Sequence, residues 1–164
     1  MEIKRIDHYS IRTLDVEASR SFYTEVVGLT VGPRPAFNFP GLWLYNGRPP
    51  ADLDHAAGNY GIVHIMGVDP NDPQGLVDTL GYVDPETLKG STGALDHIAL
   101  SVTGRESMVE RCNRHGVCYF ERSVPTLGLH QMFIKDPNGV IIELNFPAAE
   151  APRQPDPATS AAFR

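Results

Sequence analysis

Cysteine is nearly absent: only Cys112 and Cys118 occur in the 164 residues, and their spacing fits no metal or redox motif. A disulfide-stapled scaffold and a thiolate metal site are therefore set aside. One cysteine falls on an expected helix and the other on the strand after it, and both are expected to be reduced, buried packing residues. No run of Lys or Arg is present and the formal net charge is -6, so the chain lacks the basic footprint that a phosphate backbone requires. Nucleic acid is not an expected partner. No stretch approaches the roughly 18 apolar residues of a membrane span. Met1-Glu2-Ile3-Lys4-Arg5 leads into a strand with no apolar leader region, so no membrane association is read and a cytoplasmic location is expected.

What is present is a tandem repeat. Ile6-Asp7-His8-Tyr9-Ser10-Ile11 and Leu95-Asp96-His97-Ile98-Ala99-Leu100 share one pattern, with the histidine third in each. Each phrase opens a segment that continues as strand, helix and further strands. The length suits one ordinary domain with a real core, which the two half-size modules must share. The expected layout is a domain over 1–147, with module one over 3–67, a connecting segment over 68–92 and module two over 93–147. Residues 68–92 carry turn-like clusters such as Asp69-Pro70, Asp72-Pro73 and Asp84-Pro85 and are read as a joining segment. The Ala- and Pro-rich tail 148–164 has few apolar anchors, so it is read as mobile or laid along a neighbouring subunit, and carries no expected chemistry.

In module one, alternation over Ile6 to Arg12 puts Tyr9 and Ile11 on one face and His8 and Ser10 on the other. Thr13 or Asp15 caps a helix over residues 16–27, in which Ala18, Phe22 and Val26 recur at four-residue spacing and Gly28 supplies the left-handed stop. Leu29-Thr30-Val31, Leu42-Trp43-Leu44-Tyr45 and Ile62-Val63-His64-Ile65-Met66 read as strands, giving βαβββ. Module two repeats the order. A strand over Leu95 to Val102 precedes a helix over Arg105 to His115, with Met108, Val109 and Cys112 inward and Gly116 as its stop. Gly28 and Gly116 are separated by the same interval, within one residue, as His8 and His97. A strand over Val117 to Glu121 follows, and Leu129 to Lys135 pairs with Val140 to Phe146 across the type I turn Asp136-Pro137-Asn138-Gly139. The pattern predicts an α+β fold of two tandem βαβββ modules.

Strand parity gathers the chemistry on one face. His97 shares it with the small residues Ala99 and Ser101, and Glu143 shares it with Ile141 and Asn145. His64 occupies the terminal strand of module one where Glu143 sits in module two. His8, His64, His97 and Glu143 are thus four inner-face candidates for a metal. A mixed nitrogen and oxygen set suits Fe, Mn, Ni or Zn without choosing among them. Glu143 among aliphatics also calls for a compensating charge. Trp43 and Tyr45 share a face and are candidate walls of a substrate pocket, with core packing as the rival reading. His130 and its neighbour Gln131 compete for the inner face, His130 as a proton-transfer residue and Gln131 as a pocket residue. Arg34, Arg48 and Arg122 are candidates to meet an acidic substrate group. His55, in the loop from Arg48 to Tyr60, is read as solvated on a lid candidate. His115 lies at a helix end, where it favours the dipole.

Three of these signals carry a family resemblance: the Asp-His openings, the helix end Phe22-Tyr23-Thr24-Glu25-Val26-Val27-Gly28-Leu29, and the hairpin Asp136-Pro137-Asn138-Gly139-Val140-Ile141-Ile142-Glu143. Over roughly residues 5–147 the chain resembles the vicinal oxygen chelate superfamily, which holds glyoxalase I, extradiol dioxygenases, methylmalonyl-CoA epimerase, and fosfomycin and bleomycin resistance proteins. The resemblance implies a cupped mixed sheet with helices on its outer face around a divalent metal, with His8, His97 and Glu143 on the recurring ligand strands. His64 departs from the oxygen ligand that glyoxalase I and the epimerase usually present there; it is a fourth ligand or an acid/base. The leading expectation is a metal-dependent, glyoxalase-like lyase or isomerase whose small substrate chelates the metal through adjacent oxygens. The alternatives are an extradiol-type Fe(II) ring-cleaving dioxygenase and a non-catalytic ligand-sequestering resistance protein. The resemblance also implies a homodimer.

Overall fold

The computed structural model describes residues 6–51, 61–80, 92 and 95–152. Its contacts divide the chain into two compact units, Met1–Lys89 and Gly90–Arg164, with the boundary inside the expected connecting segment. Each unit is one βαβββ module.

In the first unit, β1 (Tyr9–Thr13), β2 (Thr30–Gly32), β3 (Gly41–Tyr45) and β4 (Val63–Gly67) form a four-stranded sheet in the order β1-β4-β3-β2. β1 runs parallel to β4, and the other pairs are antiparallel. Helix α1 (Val16–Ser21) starts where Asp15 accepts the Ala18 amide at 2.8 Å, while the Thr13 hydroxyl accepts the Asp15 amide. It widens into a π-helical stretch over Phe22–Val27 and ends at Gly28, whose φ of 90° is the left-handed stop the sequence predicts. The wider turns let the sequence neighbours Phe22 and Tyr23 both enter the core with Val26.

The connecting segment holds more structure than its turn-like composition suggests. Helix α2 (Gln74–Leu80) begins after Pro73, whose fixed φ suits a helix start, and Leu76 is buried against Val68, Phe39 and Met66. Gly75 rests on the backbone of Asn38, where a side chain has no room. Residues 74–80 therefore belong to the packing of the first unit, which corrects the reading of this stretch as a plain connector.

In the second unit, β5 (Ile98–Ser101), β6 (Tyr119–Val124), β7 (Leu129–Lys135) and β8 (Ile141–Pro147) repeat the topology as β5-β8-β7-β6, again with one parallel pair, β5 with β8. Helix α3 (Arg105–His115) buries Met108 and Cys112 and stops at Gly116, φ 66°. The β7–β8 hairpin is closed by Asp136, whose buried carboxylate accepts the amides of Asn138 and Val140 at 2.8 and 2.7 Å. The core of this unit lies between α3 and the face of the sheet that carries Met132, Ile134, Ile142, Leu144 and Phe146.

Two expectations change here. Cys112 is fully buried as expected, but Cys118 is exposed just before β6. The start of the tail is also anchored: Ala148–Glu150 form a 3-10 turn, and the Glu150 carboxylate accepts the Gly104 and Arg105 amides at 2.8 and 2.7 Å. Gly104 has no side chain to cap α3, so Glu150 supplies the cap from 46 positions away. No helix of the described residues is long and apolar enough to cross a membrane.

Candidate functional site

Strand register makes the repeat explicit at the level of single residues. Ser10 pairs with His64, and Ala99 pairs with Glu143; each partner lies two residues past the first-strand histidine. His64 and Glu143 thus hold the same position in their modules, each on the same face of its sheet as that module's first-strand histidine.

In the first module the register also sets Trp43 opposite His64. The three rings form a stack: His8 lies 4.0 Å from His64 at 21°, and Trp43 lies 4.0 Å from His64 at 6°. Both faces of the His64 imidazole are covered, so other groups meet it at its edge. Asp7 accepts from Nδ1 of His8 at 2.8 Å. A carboxylate only accepts, so in the neutral ring the hydrogen sits on Nδ1 and Nε2 keeps its lone pair.

Beside this stack is a cavity of about 180 Å³ lined by Ser10, Arg34, Phe37, Phe39, Trp43, His64, Ile65, Met66 and Thr79. Phe37 and Phe39 stack at 5.1 Å, and the Arg34 guanidinium lies 5.3 and 5.1 Å from their ring centres. Arg34 also donates to the carbonyls of Gly41 and Phe39, and its burial lowers its pKa. It braces the loop before β3, rather than waiting for an acidic group as the sequence suggests. Tyr45 is a second correction. It is 1% exposed, donates its hydroxyl to the Pro33 carbonyl at 2.7 Å, and fills the space left by Gly32, so it is a packing residue and not a pocket wall. Burial raises its pKa.

The second module builds a polar row on the corresponding face. Glu143 is 6% exposed, and its Oε1 accepts from the Gln131 and Asn145 amides at 2.9 and 2.7 Å. Gln131 in turn accepts from Arg122 at 2.7 Å, and the Arg122 guanidinium lies over Phe133. Two side-chain amides thus satisfy one oxygen of the buried carboxylate. Its Oε2 faces Nε2 of His97 at 3.4 Å, while Asp96 accepts from Nδ1 of His97 at 2.7 Å. The Asp-His pairing seen at Asp7 and His8 is therefore repeated.

His130 lies elsewhere. Alternation along β7 puts Gln131 on the Glu143 face and His130 on the opposite one, where it is 3% exposed. There Glu121 accepts from its Nε2 at 3.2 Å, Ser123 is 3.0 Å from its Nδ1, and Arg105 holds Glu121 through two contacts of 2.7 Å. The expected proton-transfer role for His130 beside Glu143 is corrected accordingly: it belongs to a buried ion-pair group under α3. His55 falls outside the described residues, and Arg48 is exposed on the surface.

The donor chemistry fits a first-row divalent metal. Two donors held about 2.0–2.2 Å from one ion lie roughly 3 to 3.5 Å apart, which matches the His97–Glu143 separation, and carboxylates on the far nitrogens are the usual support for ligand histidines. The structure brings the candidates together as two pairs, His8 with His64 and His97 with Glu143. Among the described residues no group of three or more His, Cys, Asp or Glu side chains is placed to hold a metal ion. The sequence reading used the Asp-His openings as a family signal but gave Asp7 and Asp96 no role of their own. It also passed over Phe37 and Phe39, which no periodicity marks.

Residues 5–144 match the family described as the Glyoxalase/Bleomycin resistance protein/Dioxygenase superfamily, and the chain belongs to it. No curated protein matches the chain. Among solved structures it is similar to a glyoxalase family protein from Bacillus anthracis, at 18% identity and a TM-score of 0.59 over 90% of this chain and 98% of that one. It is also similar to the fosfomycin resistance protein FosX from Listeria monocytogenes, at 15% identity and 0.57 over 88% and 94%. The third is TnmS3, an antibiotic binding protein from a Streptomyces species, at 21% identity and 0.53 over 90% and 98%. These likenesses are of fold.

Proposed function

We propose that this chain is a divalent-metal-dependent enzyme of the glyoxalase type, a lyase or isomerase acting on a small substrate with adjacent oxygens. His8, His64, His97 and Glu143 are the residues assigned to metal binding. One observation carries the reading: both first-strand histidines are held by the preceding aspartate through Nδ1, at 2.8 and 2.7 Å, which reserves Nε2 for a ligand bond. When bound, a divalent metal would polarise the substrate oxygens and stabilise the negative charge that develops on them. Asp7 and Asp96 set the tautomer of their histidines. Gln131 and Asn145 fix one oxygen of Glu143, which leaves the other aimed at Nε2 of His97. His64 is assigned as a ligand, with movement of a substrate proton at its ring edge as its other role. A homodimer in the cytoplasm is the expected working form.

A second reading, a protein that sequesters a ligand without turning it over, is favoured by the aromatic cavity of the first module, and TnmS3 is named as an antibiotic binding protein. Metal analysis of protein purified without added metal, followed by a screen of catechols against 2-oxoaldehyde-thiol adducts, separates the readings. Bound Ni or Zn with turnover and no oxygen uptake supports the lyase or isomerase. Bound Fe with oxygen uptake transfers the chemistry to a ring-cleaving dioxygenase, and tight ligand binding with neither metal nor turnover leaves the sequestering role.

A further inference from the structure

The aromatic cavity of the first module has a shape and lining more specific than an apolar hollow. Phe37, Phe39 and Trp43 supply ring faces and edges, with Phe37 tilted 54° to Trp43 at 6.5 Å. Met66 adds a polarisable wall, and Ser10 and His64, cross-strand neighbours on β1 and β4, also line the cavity. A volume of about 180 Å³ is close to the roughly 150 Å³ that admits a benzene, and smaller than the roughly 300 Å³ at which drug-sized sites begin. Aromatic walls favour a flat ring, which meets them by offset or edge contacts, over a puckered ring of equal size. The two hydrogen bonds that Arg34 gives to backbone carbonyls, and its position over Phe37 and Phe39, hold these rings in place before any ligand arrives. Phe37 is nevertheless 36% exposed, an apolar surface that a ligand would cover.

We infer that this cavity binds a single planar aryl ring whose polar substituent points toward Ser10 and His64. As a statement about the substrate of the enzyme it rests on the function proposed above; as a statement about the cavity it stands by itself. Trp43 is the sole tryptophan of the chain and lines the cavity, so its fluorescence reports occupancy directly. The test is a titration of the whole chain, in chelator, with phenol and separately with cyclohexanol, which has the same hydroxyl on a puckered ring. Phenol shifts Trp43 emission saturably, and cyclohexanol binds at least about tenfold more weakly. Phe37→Ala, at a part-exposed position, weakens phenol by about tenfold with an unchanged far-UV circular dichroism spectrum; Phe39→Ala does the same if it folds. An absent phenol response, an equal response to cyclohexanol, or wild-type phenol binding by Phe37→Ala overturns the inference. A parallel metal titration keeps the two claims apart. Phenol binding without metal uptake removes the metal reading alone, and metal uptake without phenol binding removes the aryl site alone.

Discussion

Glu143 and His97 face each other on the second sheet, Oε2 to Nε2 across 3.4 Å, with every other polar atom of the pair tied to Gln131, Asn145 or Asp96. That separation is longer than the 2.7–2.9 Å of a close charge-assisted hydrogen bond. The two atoms are held near one another without being closed on one another, as two ligands of one ion require.

Glu143→Gln keeps the shape of the side chain and its one accepting oxygen but removes the charge facing His97. Metal affinity measured by calorimetry is expected to fall by at least about 10-fold, with far-UV circular dichroism unchanged. Glu143→Ala is expected to abolish metal retention altogether. Unaltered metal uptake in either variant would show that Glu143 serves the amide network alone.

His64 lies between the rings of His8 and Trp43, so truncation and ligand loss must be separated. His64→Phe retains a ring in the stack and removes both nitrogens, whereas His64→Ala opens the stack. If His64 binds metal, both variants lose metal to a similar extent. Retained metal with lost turnover in both variants would make it an acid/base instead.

The two thiols should differ sharply. Burial, reinforced by the Glu121 charge, pushes the Cys112 thiol up from 9.0 to about 12, while Cys118 is exposed. In the native protein iodoacetamide should label Cys118 only, and mass spectrometry should find Cys112 labelled only after unfolding. Below pH about 9 the Cys112 thiol is protonated in both folded and unfolded chains, and its contribution to stability is fully present. As pH rises from about 9 toward 12 the unfolded chain releases this proton and the folded chain keeps it, so stability is lost. Urea midpoints should therefore fall more steeply over that window in the wild type than in Cys112→Ala.

Glu150 caps a helix whose own N-cap is glycine. Glu150→Ala leaves two amides of α3 without this acceptor and is expected to cost about 1 kcal/mol in urea denaturation, with Glu150→Gln recovering part of the loss. An unchanged midpoint would mean that water satisfies these amides equally well.

How far the fold and site could be read from the sequence depended on which physical constraint each residue obeys. Gly28, Gly116 and Asp136 were legible because a left-handed helix stop and a carboxylate-closed turn admit few residue types. The matching strand positions of His64 and Glu143 were legible because the repeat sets each module's last strand beside its first. His130 and Gln131 were not, because each face of β7 mixes apolar and polar residues, Leu129 and Phe133 with Gln131 on one and Met132 and Ile134 with His130 on the other, so alternation carries no hydrophobic contrast. Parity placed Tyr45 with Trp43 correctly, but only the path of the chain through Pro33 and Gly32 covers one and leaves the other at the cavity. Helix α2 was hidden because Pro73 and Gly75 resemble turn residues, and the burial of Leu76 that supports the helix is a tertiary fact.

Asp7 and Asp96 give the sharpest test of the proposed metal role, since the contact each makes to its histidine is between sequence neighbours and solvent-exposed. Asp96 is 88% exposed at its side chain, and an ordinary surface contact of that kind contributes little to stability. Asp96→Asn should therefore leave the urea midpoint unmoved, and Asp7→Asn makes the matching change in the first module. If the aspartates set the histidine tautomer, however, each variant should weaken metal binding by about 10- to 100-fold. Nitrogen-15 shifts should also show His8 or His97 losing its preference for the Nδ1–H form in the metal-free protein. Equal metal affinity together with unchanged imidazole shifts would reduce both aspartates to surface residues and remove the observation on which the proposed function most depends.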